Sequence, residues 1–258
     1  MVLSVNLADK TLRIGAKFSQ NRTVPVFQLI QDMPIFPNAS YAREDGLLAI
    51  GGDLSETRLI EAYRNGIFPW YEEGQPILWW SPDPRLVICP ENLKISRSLQ
   101  KTLRKGLFTT RINSAFDQVI DACAETRLSC GDGTWITQDM KKAYAKLHRK
   151  GYALSVESWS EGELVGGLYG VLIGKCFFGE SMFSIRNDAS KCTLVELVSH
   201  AKTQGIQLID CQMRTDHLIR MGAHQISRKE YLGQLKRFIP KRIKKTSFQS
   251  ASSPALAF

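Results

Sequence analysis

Residues 152–184 constrain the fold of this chain more than any other stretch. YALSVESW, ELVGGLYGVLIG and KCFFGESMF are three strand-like runs rich in Val, Leu, Phe and Tyr, joined only by EGE and by a turn at Gly174–Lys175. Antiparallel neighbours tolerate joins this short, whereas a parallel neighbour needs a crossover of roughly a dozen residues. The runs therefore predict an antiparallel meander. A helix over 190–204, closed by Gly205, then leads to a short apolar strand, QLIDCQ.

Three antiparallel strands followed by a helix crossing to another strand suggest an α+β core of the N-acyltransferase type. That step is a fold analogy and carries little about function. Upstream, GLLAIGGDLS reads as a glycine-rich turn that offers Asp53 and Ser55 as caps to ETRLIEAYRN, with Gly66 as the stop. PRLVICP reads as a short extended piece at the entry to a second domain. Helices are predicted over 96–105, 114–125 and 137–149. The chain thus divides into an extension (1–30), a small N-terminal α/β domain with an aromatic loop (31–85), an acetyltransferase-like domain with a mainly antiparallel sheet (86–239) and a basic, then Ser/Ala-rich tail (240–258) expected to lack structure.

A net charge of +9 over 258 residues suggests a polyanionic partner, nucleic acid or an anionic surface. The six cysteines form no CxxC pair and no metal-ligand spacing with the four histidines, and read as reduced core cysteines. No metal or cofactor is expected. No run approaches the ~20 apolar residues that span a bilayer, so a cytoplasmic protein with no membrane partner is expected.

Four places carry chemistry. The first is GIFPWYEEGQPILWWSPDPR (66–85), which holds three of the five tryptophans and four of the ten prolines. Its prolines oppose helix, and no strand period runs through it. Such a segment is either a staple between domains or a platform for a flat ligand. The second is the helix SRSLQKTLRK, with Leu99 and Leu103 on one face and Arg97, Lys101, Arg104 and Lys105 on the other. Without a nucleic-acid partner that basic face reads as merely solvated. The third is Glu180, a carboxylate within an apolar strand, where it is costly unless it has a task or a partner such as Lys191. The fourth is Asp210 with Gln212, which strand period places on one face, with Ile209 and Cys211 on the other. The latter pair could equally serve a helix cap. No P-loop or GxGxxG is present, and RLSCGDG is a poor match to a coenzyme A loop.

The runs GLLAIGGDLS, AYRNGIFPWY, PILWWSPDPR, GTWIT, VGGLYGV, FFGESMFS, ASK and LIDCQMRTDHL closely resemble leucyl/phenylalanyl-tRNA–protein transferases, in order and across residues 36 to 232. The resemblance implies transfer of leucine or phenylalanine from aminoacyl-tRNA to the α-amino group of proteins beginning with Arg or Lys. The product is marked for degradation by the bacterial N-end rule machinery. It implies Trp70 and Trp135, with Phe68 beside Trp70, near the terminal adenosine of the tRNA, and the basic helix on tRNA phosphates. Trp79 and Trp80 are then expected to brace the small domain on the core. Leu168, Phe177, Met182, Leu194 and Ile209 match the lining of the amino-acid pocket, and an ordinary core explains them equally.

The chain departs from the family pattern at Leu154, where many members have His, and at Leu197 and Ala201, where aromatics occur, which implies a roomier pocket. Asp210 is expected to orient Gln212, whose carbonyl oxygen receives the attacking amine, and the pair is a candidate proton relay. Glu180 is expected to face the cationic acceptor. A rival reading is a tRNA-binding module on a degenerate acyltransferase fold, and another is a transferase with different tRNA or acceptor specificity. A monomer is expected.

Overall fold

The computed structural model describes residues 26–129 and 134–240, together with the backbone of Ser252–Ser253. The first half of the chain builds a small sheet from β1 (Phe27–Leu29), β2 (Leu47–Gly51), β3 (Phe68–Pro69) and β4 (Leu78–Trp80), in the order β1-β2-β4-β3. GLLAIG is therefore mainly a strand, and the turn is confined to Gly51 and Gly52, both at positive φ. The aromatic stretch also contributes strand, in pieces of two and three residues that are too short to show a period. Because β1 lies in this sheet, the expected extension overlaps the small domain at Phe27–Leu29. Most of that extension, like most of the tail, lies outside the described residues.

Helix α1 (Glu56–Arg64) starts where Ser55 Oγ accepts from Arg58 N, the cap the sequence offers. Asp53 has a different task. Its carboxylate accepts from the backbone of Ser55 and Asp32 and pairs with the fully buried Arg58 at 2.9 Å.

The large sheet follows: β5 (Arg85–Ile88), β6 (Thr109–Ile112), β7 (Ala153–Ser160), β8 (Glu163–Ile173), β9 (Cys176–Ser184), β10 (Leu208–Gln212), β11 (His224–Ile226) and β12 (Ser252–Ser253). Its order is β11-β5-β10-β9-β8-β7-β6-β12. The meander β7-β8-β9 is antiparallel, as its short joins require. At Gly170, a Cβ would lie 2.2 Å from the carbonyl oxygen of Phe178, so only glycine fits this crossing of β8 and β9. The one parallel pair among the described strands of this sheet is β9–β10, reached through α5 (Ala189–Thr203). The architecture is α+β with a mainly antiparallel sheet, as the order of runs predicts.

Helices α2 (Arg97–Arg104), α3 (Phe116–Ser129) and α4 (Gln138–Arg149) occur where the sequence places them. The chain also forms α6 (Asp216–Arg220) and α7 (Arg228–Phe238). Met140, Tyr144 and Leu147 of α4 are fully buried. One apolar cluster joins Leu48, Tyr63 and Trp79 of the small domain to Tyr144, Tyr169 and Phe178 of the large one, so the two sheets share a core. A second cluster lies beneath α5. No described helix is long and apolar enough to cross a membrane.

Candidate active site

Strands β9 and β10 pair in parallel only as far as Phe178↔Asp210. Beyond that point the chains part, and a cleft of about 540 Å³, open to solvent, occupies the gap. Gly179 and Glu180 line it from β9, and Cys211 and Gln212 from β10, continuing to Met213 and Thr215. Phe68, Pro69 and Trp70 line it from the small sheet, while Trp135 and Arg127 line it from the α3–α4 region. The aromatic loop and the strand ends, distant in sequence, thus meet at one opening.

Gln212 departs from simple strand alternation. The pairing of β10 with β5 shifts register between Asp210 and Gln212, and Gln212 sits at φ 59. This bulge lets Cys211 and Gln212 line the cleft together, contrary to the period-two expectation. Such a left-handed residue is uncommon and needs holding in place. Asp210 holds it: its Oδ1 accepts from Gln212 N at 2.8 Å. The contact is with the main chain of Gln212, not its amide side chain.

Asp210 itself is fully buried and lies behind the cleft. Arg85 donates to both of its carboxylate oxygens, Nε at 2.9 Å and Nη2 at 2.6 Å, and Tyr231 donates its hydroxyl at 2.7 Å. The Arg85 guanidinium lies 4.7 Å from the ring centres of both Phe68 and Tyr231. Burial alone would lower its pKa, but Asp210 and Tyr231 raise it overall, which keeps the guanidinium charged. Arg85 and Tyr231 went unnoticed in the sequence because their partner is 125 and 21 residues away.

Glu180 faces a second network. Gln212 Nε2 donates to its Oε1 at 2.8 Å and the Tyr144 hydroxyl donates to its Oε2 at 2.9 Å. Tyr63 is hydrogen-bonded to Tyr144 behind it. Lys191, the alternative partner, pairs with Asp188 instead. Burial pushes the Glu180 carboxyl from 4.5 up to about 7, and the hydroxyls of Tyr63 and Tyr144 only partly offset it. Such a value suits a group that exchanges protons near neutrality. Burial also holds the Cys211 thiol well above its usual range, which argues against a thiolate nucleophile here.

The tryptophans divide their tasks. Trp70 and Trp135 are at the cleft with Phe68. Trp80 packs edge-on against Trp70, ring centres 5.6 Å apart, and its indole N–H donates to the Trp70 carbonyl at 2.7 Å. Trp79 is fully buried inside the small domain, edge-on to Phe36, with its N–H on the Gly51 carbonyl at 2.8 Å. These ring contacts and indole hydrogen bonds of Trp79 and Trp80 stay within the small domain. A tie to the large one comes instead from Asp83, whose Oδ1 accepts from Arg228 N at 2.9 Å at the start of α7.

Leu168, Phe177, Met182, Leu194 and Ile209 are all buried, and they lie together in the cluster beneath α5 with Leu154, Leu197 and Ala201. None of the five lines the cleft. Cys211 is common to both, being packed on that cluster and half-buried at the edge of the cleft. On α2, Leu99 is buried while Arg97, Lys101, Arg104 and Lys105 are exposed, and Ser96 Oγ caps the helix by accepting from Leu99 N.

The family model described as leucyl/phenylalanyl-tRNA protein transferase matches residues 87–236, and the model of that family's N-terminal domain matches residues 52–83. A leucyl/phenylalanyl-tRNA–protein transferase of Syntrophobacter fumaroxidans is 56% identical over 229 residues, covering 89% of this chain and 97% of that protein. Its namesake from Chromobacterium violaceum is 56% identical over 205 residues, covering 79% and 88%. Among solved structures, L-PGS from Bacillus licheniformis aligns with a TM-score of 0.37 and 13% identity, over 66% of this chain and 54% of that chain.

Proposed function

Since this chain belongs to the leucyl/phenylalanyl-tRNA protein transferase family, we propose that it moves leucine or phenylalanine, and methionine less well, from aminoacyl-tRNA to proteins that begin with Arg or Lys. It is an aminoacyltransferase, with an aminoacyl-tRNA as donor and a protein as acceptor. The finer reading is a peptide bond to the acceptor's α-amino group, made in the cytoplasm by a monomer, which creates an N-degron.

One observation carries this reading: the Glu180–Gln212 side-chain pair at the base of a cleft walled by Trp70 and Trp135. A base stacked on an aromatic ring gains roughly 1–3 kcal/mol, enough to place a 3′ adenosine but not a whole tRNA. The exposed cations of α2 supply the remaining attraction to phosphates, away from the chemistry.

The ester of an aminoacyl-tRNA is already activated, so its aminolysis rests chiefly on placement. Holding amine and ester in attack geometry is worth about 7–11 kcal/mol. Gln212 has its Nε2 committed to Glu180, which leaves the amide oxygen as the acceptor for the incoming amine. An α-amino group titrates near ~7.7–8.0, close to Glu180 at about 7. Glu180 is therefore the carboxylate that receives the amine proton or balances the acceptor's positive charge. Asp210 acts as a positioning residue, because it reaches Gln212 through the main chain. The leucine or phenylalanine side chain points toward the apolar cluster beyond Cys211, where a one-methylene difference discriminates by only ~1–3 kcal/mol.

The test is incubation of the protein with labelled Leu-, Phe- and Met-tRNA and with peptides beginning with Arg, Lys or Asp. Transfer of Leu and Phe to the Arg and Lys peptides is expected, and no transfer to any peptide would overturn the reading.

A further inference from the structure

We propose that Arg127 forms a subsite for the phosphodiester that links the terminal adenosine of the donor to the preceding nucleotide. The proposal rests on the reading that the donor's 3′ end occupies the cleft. Arg127 lies near the C-terminal end of α3, where a cation complements the helix dipole and ordinarily extends into water. Here the side chain is instead 9% exposed, with its guanidinium carbon 5.7 Å from the ring centre of Trp135. Among the described residues that line the cleft it is also the only arginine or lysine, opposite in sign to Glu180.

A buried cation beside a base-stacking ring has a specific consequence. An adenine held by Trp70 and Trp135 carries its ribose and 5′ phosphate only a few bonds from its ring. That phosphate must then fall within the field of the guanidinium next to Trp135. Desolvation strengthens the attraction, and a planar guanidinium can donate two parallel N–H bonds to a phosphodiester. The cations of α2 are exposed and attract phosphates at long range, whereas Arg127 reads a single phosphate in register with the ester. It would thus set how far the 3′ end enters and align the carbonyl with Gln212.

The experiment compares three donors on the full-length protein: aminoacyl-adenosine, aminoacyl-CpA with its one phosphodiester, and aminoacyl-CpA whose phosphodiester is replaced by a neutral methylphosphonate. With wild-type protein the charged dinucleotide should show a KM roughly tenfold below that of the methylphosphonate, as loss of one charge-assisted hydrogen bond implies. Arg127→Met should abolish that difference while leaving aminoacyl-adenosine within about twofold in kcat and KM. Arg127→Lys should recover part of it, since charge remains but the fork is lost.

Equal KM values for the two dinucleotides with wild-type protein would overturn the proposal without relying on any variant. A kcat loss of Arg127→Met on aminoacyl-adenosine would also overturn it, because the guanidinium would then act on the reacting carbonyl or merely brace Trp135. If aminoacyl-adenosine is no donor for the wild-type protein, the placement of the 3′ end in this cleft fails, and the phosphate subsite falls with it.

Discussion

Replacing Asp210 with Asn tests the structural logic of the site most directly. The carboxylate is fully buried and serves donors from three residues at once: both nitrogens of the Arg85 fork, the Tyr231 hydroxyl and the Gln212 main-chain N–H. Asn has one acceptor oxygen, and its NH₂ would face a donor. The Arg85 charge would stay buried, because Phe68 and Tyr231 each hold its guanidinium at 4.7 Å and leave little room for water. Removing one partner of such a pair typically costs about 3–5 kcal/mol.

With a urea m-value of roughly 3 kcal/mol/M, the unfolding midpoint should fall by about 1 M or more. Urea titrations followed by tryptophan fluorescence and circular dichroism would measure it. In a double-mutant cycle with Arg85→Met, the second replacement should recover much of the loss, with a coupling above about 1 kcal/mol. A loss under about 1 kcal/mol for Asp210→Asn, or coupling near zero, would refute the account of Asp210 as the counter-ion that fixes β10. At temperatures where Asp210→Asn remains folded, single-turnover transfer should still drop tenfold or more, because the φ of Gln212 is no longer clamped.

Other substitutions separate the remaining roles. Gln212→Ala removes only the amide in the cleft and should lower single-turnover transfer at least tenfold with a much smaller effect on the urea midpoint than Asp210→Asn; an unchanged rate would remove Gln212 from the chemistry. Glu180 has a folded pKa of about 7 against a reference of 4.5, so its ionisation costs stability as pH rises through that window. The cost reaches roughly 3 kcal/mol above pH 7, and Glu180→Gln should gain on the wild type by about that much between pH 4 and pH 8. Parallel stability profiles would contradict the raised pKa. Reversing the charges of Arg97 and Lys101 should raise KM for aminoacyl-tRNA and flatten its salt dependence by about one unit of slope per contact, while aminoacyl-adenosine is little affected. Trp70→Ala should weaken both donors, by about 5-fold to 150-fold in KM, since base stacking is common to them.

The sequence alone determined the parts of this protein that depend on neighbours in the chain. Short joins between apolar runs dictated the meander, Ser55 and Ser96 set helix starts, and one-sided spacing of cations made α2 a basic face. Family motifs likewise placed Trp70, Trp135, Glu180 and Gln212 near one function, and the structure brings those four to one cleft. Strand alternation failed at Gln212, because a bulge against β5 depends on a partner strand that the local sequence does not reveal. Short strands also hid within GIFPWYEEGQPILWWSPDPR, since their pairing with β2 and with each other supplies what periodicity lacked.

Tertiary structure decided how the site is held. Asp210 reads in the sequence as a partner of the Gln212 side chain, yet it is the buried counter-ion of Arg85 and clamps a main-chain N–H. Glu180 reads as a costly carboxylate, and only the fold supplies Tyr144 and Gln212 to pair it while withholding enough water to bring it near neutrality. Hydrogen bonds, desolvation and ion pairing act across space, between residues 125 and 145 positions apart here. A linear pattern can nominate such residues, but the electrostatics that give each its role exist only once the chain has closed around them.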